Sequence, residues 1–310
     1  MDDELLRSFR EQGQWDSEGA FTLDPEQVWR KLGQFALADE RRYLLHLVSW
    51  AIGRGATAVE ITHEVGRLEV RPRGPLALPT GYLESLLGAP GSAAPGARDL
   101  LIATSTAALR KGARVTFEAQ EQRLLADADG LRLLDGGGGA LVWLLEESVS
   151  RLSSLVGRLL GDQVPEVALL REGFVHSEVP ICVNGEPIGL PLRLPVVRKG
   201  IHLAGPPQLP ITPEELAHSE ILSRPSTGSF SCLVLSSRHA ILPTRALYIV
   251  QGLTFERPPV QWDGENFVVV VNAPGLEKDL SGQGLVENPA LREIDNQVTR
   301  LVQELQESPS

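Results

Sequence analysis

The sequence predicts a mixed α/β (α+β) protein of two domains: a two-layer α/β sandwich over residues 19–177, preceded by a flexible arm of residues 1–18, and a smaller β-rich α+β domain over residues 178–310. Three observations carry that expectation. The chain has 310 residues, about twice the commonest domain size and enough for two separate cores. Its first half opens with helix-length apolar segments and continues as short apolar runs broken by Asp/Gly turns, the order of a sheet with helices layered on one face. Its second half is rich in proline (Pro180, Pro187, Pro191, Pro195, Pro206, Pro207, Pro210) and in short β-forming runs, and only its end is helical in pattern.

Composition bounds the function classes. The chain is 42% hydrophobic and 22% charged, close to the averages for folded domains, which excludes wholesale disorder. It holds no apolar run long enough to cross a bilayer. Met1-Asp2-Asp3-Glu4 is acidic where a secretory leader is basic, so a cytoplasmic location is expected. A formal charge of −11 disfavours nucleic acid and anionic membrane as direct partners, because both repel an acidic surface. Cys182 and Cys232 lack the paired spacing of a zinc or redox motif and read as small buried hydrophobes.

In chain order, Phe21-Thr22-Leu23 reads as a short strand. Asp24 and Pro25 start a helix as N-cap and first helical residue, running to about residue 37. A second helix follows over residues 39–54. Its apolar members Leu44, Leu45, Leu47, Val48, Trp50, Ala51 and Ile52 cover most of the circumference, so it is buried on more than one side. Gly53 and Gly55 end it. Strands are expected at 58–62 and 67–70 around Gly66, a short helix at 80–87, a flexible loop at 88–97, a helix at 98–111, and four strands at 113–119, 122–128, 131–134 and 140–145.

In the second half, Asn184-Gly185 and Asp263-Gly264 are hairpin signals, and strands are expected at 230–236, 246–250 and 267–271, the last apolar throughout and so central in its sheet. Arg198, Lys199 and His202 read as a solvated loop. Asn288 as N-cap and Pro289 open a final helix to about residue 306. Leu291, Ile294, Val298, Leu301 and Leu305 recur along it at three- and four-residue steps. Packing on its own sheet is the expected use of that seam, and association with a protein partner or a second copy is the alternative.

Several local strings, taken in order, resemble the GHKL ATPases, and among them the Hsp90-type chaperones. His46-Leu47-Val48-Ser49-Trp50-Ala51-Ile52-Gly53 falls where that family carries a Glu-x-x-x-Asn-x-x-Asp helix. Lys111-Gly112-Ala113-Arg114-Val115-Thr116-Phe117 matches its helix-to-strand step after the nucleotide lid. Gly137-Gly138-Gly139-Ala140-Leu141-Val142-Trp143-Leu144 is similar to its Gly-x-Gly-Thr-x-Val/Ile-x-Leu strand. His176-Ser177 and Pro180-Ile181 match its passage to a middle domain. The resemblance covers about residues 20 to 185, and it implies a Bergerat-type sandwich followed by a middle or transducer-like domain.

The departures matter more than the matches. In that family the helix Glu orients the attacking water and the Asn gives an oxygen to Mg²⁺. Here those positions hold His46 and Trp50, and an indole N–H cannot ligate a cation. The Asp-x-Gly-x-Gly that holds adenine becomes Pro72-Arg73-Gly74-Pro75-Leu76. In the lid, Gly88, Gly91 and Gly96 are widely spaced, with Pro90 and Pro95 removing donors. Ala140 stands where the family has Thr. The resemblance therefore implies a vestigial pocket at Gly74, Gly91, Gly96 and Ala140, degenerate catalytic positions at His46 and Trp50, no metal site and no cofactor. Read without the family, His46 is a core histidine.

An interaction or scaffold module that has lost ATP hydrolysis is the function expected. The alternative is a divergent chaperone-like ATPase assisting protein folding, with ATP and Mg²⁺ bound and Glu60 or Glu64 as base. A third possibility, a pocket repurposed for another small ligand, depends on Trp50 not filling the space.

Overall fold

The computed structural model describes residues 14–15, 21–22, 31, 37, 39–87, 97–136, 141–148, 165–189, 197–211, 220–237, 244–258 and 266–307. The chain divides into two compact units, Met1–Gln163 and Val164–Ser310, and the fold is mixed α/β. Of the helix expected from Asp24 to about residue 37 only Lys31, which is helical, and Leu37 are described; residues 88–96 of the loop expected at 88–97 and the Asp263-Gly264 turn lie outside the described residues, and Ala97 begins a helix.

In the first unit, β1 (Gln14–Trp15) and β2 (Phe21–Thr22) pair antiparallel. Asp39 then caps a 3-10 turn at Glu40–Arg42, its carboxylate accepting from the Arg41 amide at 3.1 Å. This is the role a short acidic side chain has at a helix start. Helix α1 (Tyr43–Gly53) follows, with every residue from 43 to 51 buried. It ends where the Gly55 amide bonds back to the Ile52 carbonyl with φ at +91°, a left-handed helix stop that suits glycine.

Strands β3 (Ala58–Glu64) and β4 (Arg67–Arg73) form a hairpin that runs longer than the sequence pattern suggests. Helices α2 (Tyr82–Leu87) and α3 (Ala97–Ala108) come next. The meander β5 (Ala113–Ala119), β6 (Gln122–Asp127), β7 (Gly130–Asp135) and β8 (Val142–Glu147) completes the unit. Within this unit the strand order is β3-β4-β8-β5-β6-β7, so β8 inserts between the β3–β4 hairpin and the run β5–β6–β7. Each of these pairings is antiparallel.

Alternation along the strands sends Val59, Ile61, Leu68, Val70, Val115, Phe117, Leu124, Trp143 and Leu145 into the core with α1 and α3. It sends Glu60, Glu64, Arg67, Arg71 and Arg73 to the opposite face.

The second unit opens with α4 (Pro165–Gly173) and a hairpin of β9 (Ile181–Val183) and β10 (Glu186–Ile188). Asn184 and Gly185 turn it with φ of +51° and +82°, as the Asn-Gly pair requires. A mixed sheet follows, made of β11 (Val197–Ala204), β12 (Glu220–Pro225), β13 (Ser231–Ser237), β14 (Arg245–Val250), β15 (Leu253–Arg257) and β16 (Asn266–Asn272), in the order β12-β11-β13-β16-β14-β15. The β11–β12 and β14–β16 pairs are parallel, and β16 is interior, as its unbroken apolar run predicts.

Arg198, Lys199 and His202, expected in a solvated loop, belong instead to strand β11. Ile201 is buried there. Gly200 lets β13 approach, since a Cβ at that position would stand 2.7 Å from Leu235. The adjacent charges of Arg198 and Lys199 hid a strand that pairs with β12 and β13 from Lys199 onward, after a register shift between Val197 and Lys199.

Helix α5 (Pro289–Glu307) closes the unit and packs on β11 and β13. Asn288 caps it, its side-chain oxygen accepting from the Leu291 amide at 3.0 Å. Leu291, Val298, Leu301, Val302 and Leu305 are buried within the unit, and Ile294 is half-buried. Polar ties flank the seam: the Tyr248 hydroxyl donates to Asp295 at 2.5 Å, and Arg224 donates two bonds to Glu304. Among the described residues no helix is long and apolar enough to cross a membrane.

Because Leu301 is a core residue of this unit, Leu301→Ala should lower its unfolding free energy by about 2–5 kcal/mol in urea denaturation, with no change in molar mass by light scattering. A changed molar mass at nearly unchanged stability would show instead that the seam serves association.

Candidate functional site

His46 and Trp50 lie one helical turn apart on α1 and so share a face. His46 is 1% exposed, and its Nδ1 sits 2.8 Å from Oδ1 of Asp99, itself nearly buried in the first turn of α3. A helix N-terminus is a favourable place for a carboxylate. Nε2 of His46 has no hydrogen-bond partner among the described residues. Placing the shared proton on Nδ1 gives Asp99 a donor and avoids a buried Nε2–H with nothing to receive it.

Trp50 is equally enclosed. Its indole N–H donates to the Tyr82 hydroxyl at 2.8 Å. The Trp50 ring stacks on Tyr82 at 6.4 Å between centroids and meets Phe117 edge-on at 5.4 Å. The Arg54 guanidinium lies over the other ring of the stack, 5.6 Å from the Tyr82 centroid. Burial pushes the Tyr82 hydroxyl above its ordinary ionisation range, and the Trp50 N–H and the Arg54 charge offset part of that effect. A second aromatic layer continues the core: Tyr43 stacks on Trp143 at 5.8 Å, and Trp143 donates to Thr104 Oγ1 at 3.2 Å.

Gly74, the one described residue among the remaining positions of the expected pocket, does not join this cluster. Gly74 ends β4 with φ at +106°, and a Cβ there would lie 2.7 Å from Thr57 Oγ1, so the position admits glycine alone without rearrangement. It borders a groove of about 430 Å³ whose lining includes Arg71, Pro72, Gln120 and Val142 but neither His46 nor Trp50. Leu141, next to Ala140 in the chain, also lines the groove. Gly91, Gly96 and Ala140 themselves lie outside the described residues.

Glu60 and Glu64 are exposed and face away from α1 on the outward side of β3. Arg73 donates to Glu60 at 2.6 and 3.0 Å and holds its carboxyl below the usual range. Cys232 is buried, which pushes its thiol up to about 12, while Cys182 is half-buried. Among the described residues no group of three or more His, Cys, Asp or Glu side chains could hold a metal ion.

Sequence reasoning found His46 and Trp50 but not their partners Asp99, Tyr82 and Phe117. One signal was available: a carboxylate in a helix whose residues are all buried except Arg98 needs a buried donor somewhere, and His46 lies on the other largely buried helix. No protein-family model matches the chain, and no curated protein matches it.

The two buried pairs differ in how they should respond to change. Asp99→Ala strands the His46 Nδ1–H in the core and should cost about 1–3 kcal/mol, read by urea denaturation. Tyr82 behaves differently because its folded ionisation range lies above the unfolded value of 10.0. Its contribution is fully present below pH 10 and declines as pH climbs from there through the folded value. Denaturation curves between pH 9 and 11.5 should fall more steeply for the parent chain than for Tyr82→Phe, and parallel curves would contradict the buried neutral hydroxyl.

Proposed function

We propose that the first unit is a degenerate relative of the GHKL ATPase sandwich that has lost nucleotide turnover and works as an interaction or scaffold module for protein partners. One observation supports this above the others: both helix positions that would serve water and Mg²⁺ are committed to contacts inside the chain, His46 to Asp99 and Trp50 to Tyr82. The Trp50 N–H cannot reach a ligand without breaking its bond to Tyr82, and the one ring nitrogen that His46 leaves unpartnered, Nε2, is buried.

The order of helix, hairpin, helix and meander agrees with this reading, as does a second unit of mixed sheet and closing helix in the place of a middle domain. The chaperone-like ATPase alternative needs a base near α1. The two carboxylates suggested for it, Glu60 and Glu64, lie on the other face of β3, and no observation favours it. Trp50, locked in an aromatic stack, also leaves no space at its own position for a repurposed small ligand.

Titration of the full chain with ATP and Mg²⁺ tests the reading. We expect no heat and no melting shift at millimolar nucleotide. A ligand present at about a hundred times its Kd stabilises the folded state by about 2.7 kcal/mol, so micromolar binding would be unmistakable and would overturn the proposal.

A further inference from the structure

The groove beside Gly74 is a fork in the sheet, and its cause is visible in the backbone. Strand β4 pairs with β8 from Arg67↔Glu146 to Val70↔Trp143. Beyond that point β4 runs on to Arg73, while Val142, the residue next in line on β8, is paired with Glu118 of β5. The Thr57 amide donates to the Arg73 carbonyl at 2.8 Å, so the backbone groups of Arg73 point toward β3. Those of Pro72, one residue earlier, point the other way, into the fork. Proline has no N–H to continue the ladder and presents a carbonyl alone.

Arg71 and Arg73 stand on either side of that carbonyl, two residues apart on one face. Their guanidinium groups are only partly committed. Arg73 gives its Nε and Nη2 to Glu60, and Arg71 gives its Nε to Glu69. Both side chains are about half exposed, at 54% and 49%. Among the described residues no carboxylate lines the groove, and Leu76, Leu78 and Leu141 supply its apolar wall.

We infer that this fork takes up an extended segment of a partner protein, carrying two acidic side chains on either side of one apolar residue. The segment adds antiparallel to β4 beyond Val70, along the stretch that the described residues of β8 do not pair. The N–H of its central residue bonds the Pro72 carbonyl, and that residue's apolar side chain meets the leucine wall. Its flanking carboxylates, about 6.6–6.8 Å apart as same-face residues of a strand are, face Arg71 and Arg73. Main-chain pairing supplies attachment and the alternate side chains supply selectivity, as in other strand-addition complexes. The inference rests on the reading of this unit as an interaction module but not on its kinship with ATPases, so nucleotide and peptide titrations fail independently.

The test is fluorescence anisotropy of the full chain with fluorescein-labelled Gly-Ser-Val-Glu-Val-Glu-Val-Ser. Two control peptides accompany it, one with Lys for both Glu and one N-methylated at the Val between them. Saturable binding of the first peptide is expected, weaker by about tenfold or more for either control and for Arg73→Ser or Arg71→Gln chains. The Arg73–Glu60 pair is exposed, so Arg73→Ser should keep its fold, which a thermal melt by circular dichroism checks. Failure to bind at about 1 mM peptide, equal binding of the Lys peptide, or equal binding by the correctly folded Arg73→Ser chain would overturn the inference. So would a concentration-dependent dimer that Arg73→Ser dissociates, because the occupant would then be a second copy.

Discussion

Helix α1 has no side turned to water, and the first unit is arranged around that constraint. From residue 43 to 51 every side chain is buried, so each polar atom on the helix must find a partner inside the protein or cost about 1–3 kcal/mol. His46 meets this need through Asp99 on α3, and Trp50 through Tyr82 on α2. These two bonds fix how the other helices approach α1. They also spend the functional atoms of the residues that make the helix look like part of an enzyme. Only Nε2 of His46 lacks a described partner, and it is enclosed.

A second constraint acts at the sheet. Pro72 cannot donate to a neighbouring strand, and Gly74 takes a left-handed turn against Thr57 that a Cβ would block. Together they mark the end of the pairing of β4 with β8, which stops three residues before β4 does and one residue short of the end of β8 at Val142. The groove therefore follows from two backbone facts and does not depend on a particular set of side chains. The helix core and the fork are separate features: the first closed by burial, the second opened by a missing donor.

Much of this was legible in the sequence, for reasons that differ by element. Helix α1 and helix α5 show in their apolar spacing, and the meander shows in short runs cut by turns. Strand β11 does not, because charged residues at 198 and 199 disguise a strand whose pairing comes from β12 and β13, remote in sequence. Helix α4 was missed because its nine residues bury only Glu166, Val167 and Leu170, too few to give a helical stripe. At the site, His46 and Trp50 could be named because a known pattern marks their positions. Their partners lie 53 and 32 residues away, and nothing local in a sequence encodes that a particular Asp or Tyr will meet them. The fork could not be read at all: a proline in a strand signals an edge, but which strand leaves it unpaired is a property of the topology.

The chain's charge of −11 and the two arginines of the fork act on different length scales. At physiological salt, charges separated by more than about 8 Å are largely screened, so the acidic surface as a whole governs which molecules approach and how fast, not what is held in contact. It discourages long polyanions, which would meet many carboxylates for every arginine. A short strand with two acidic residues meets Arg71 and Arg73 at close range, with only Glu60 and Glu69 as competing carboxylates, and charge-assisted guanidinium–carboxylate bonds are the strong ones. Net charge that would weaken any one acidic ligand thus narrows the set of ligands the fork can take. The carboxylates of Glu60 and Glu69 add to that selectivity, since they hold both guanidinium groups in place and admit only a partner that can share them.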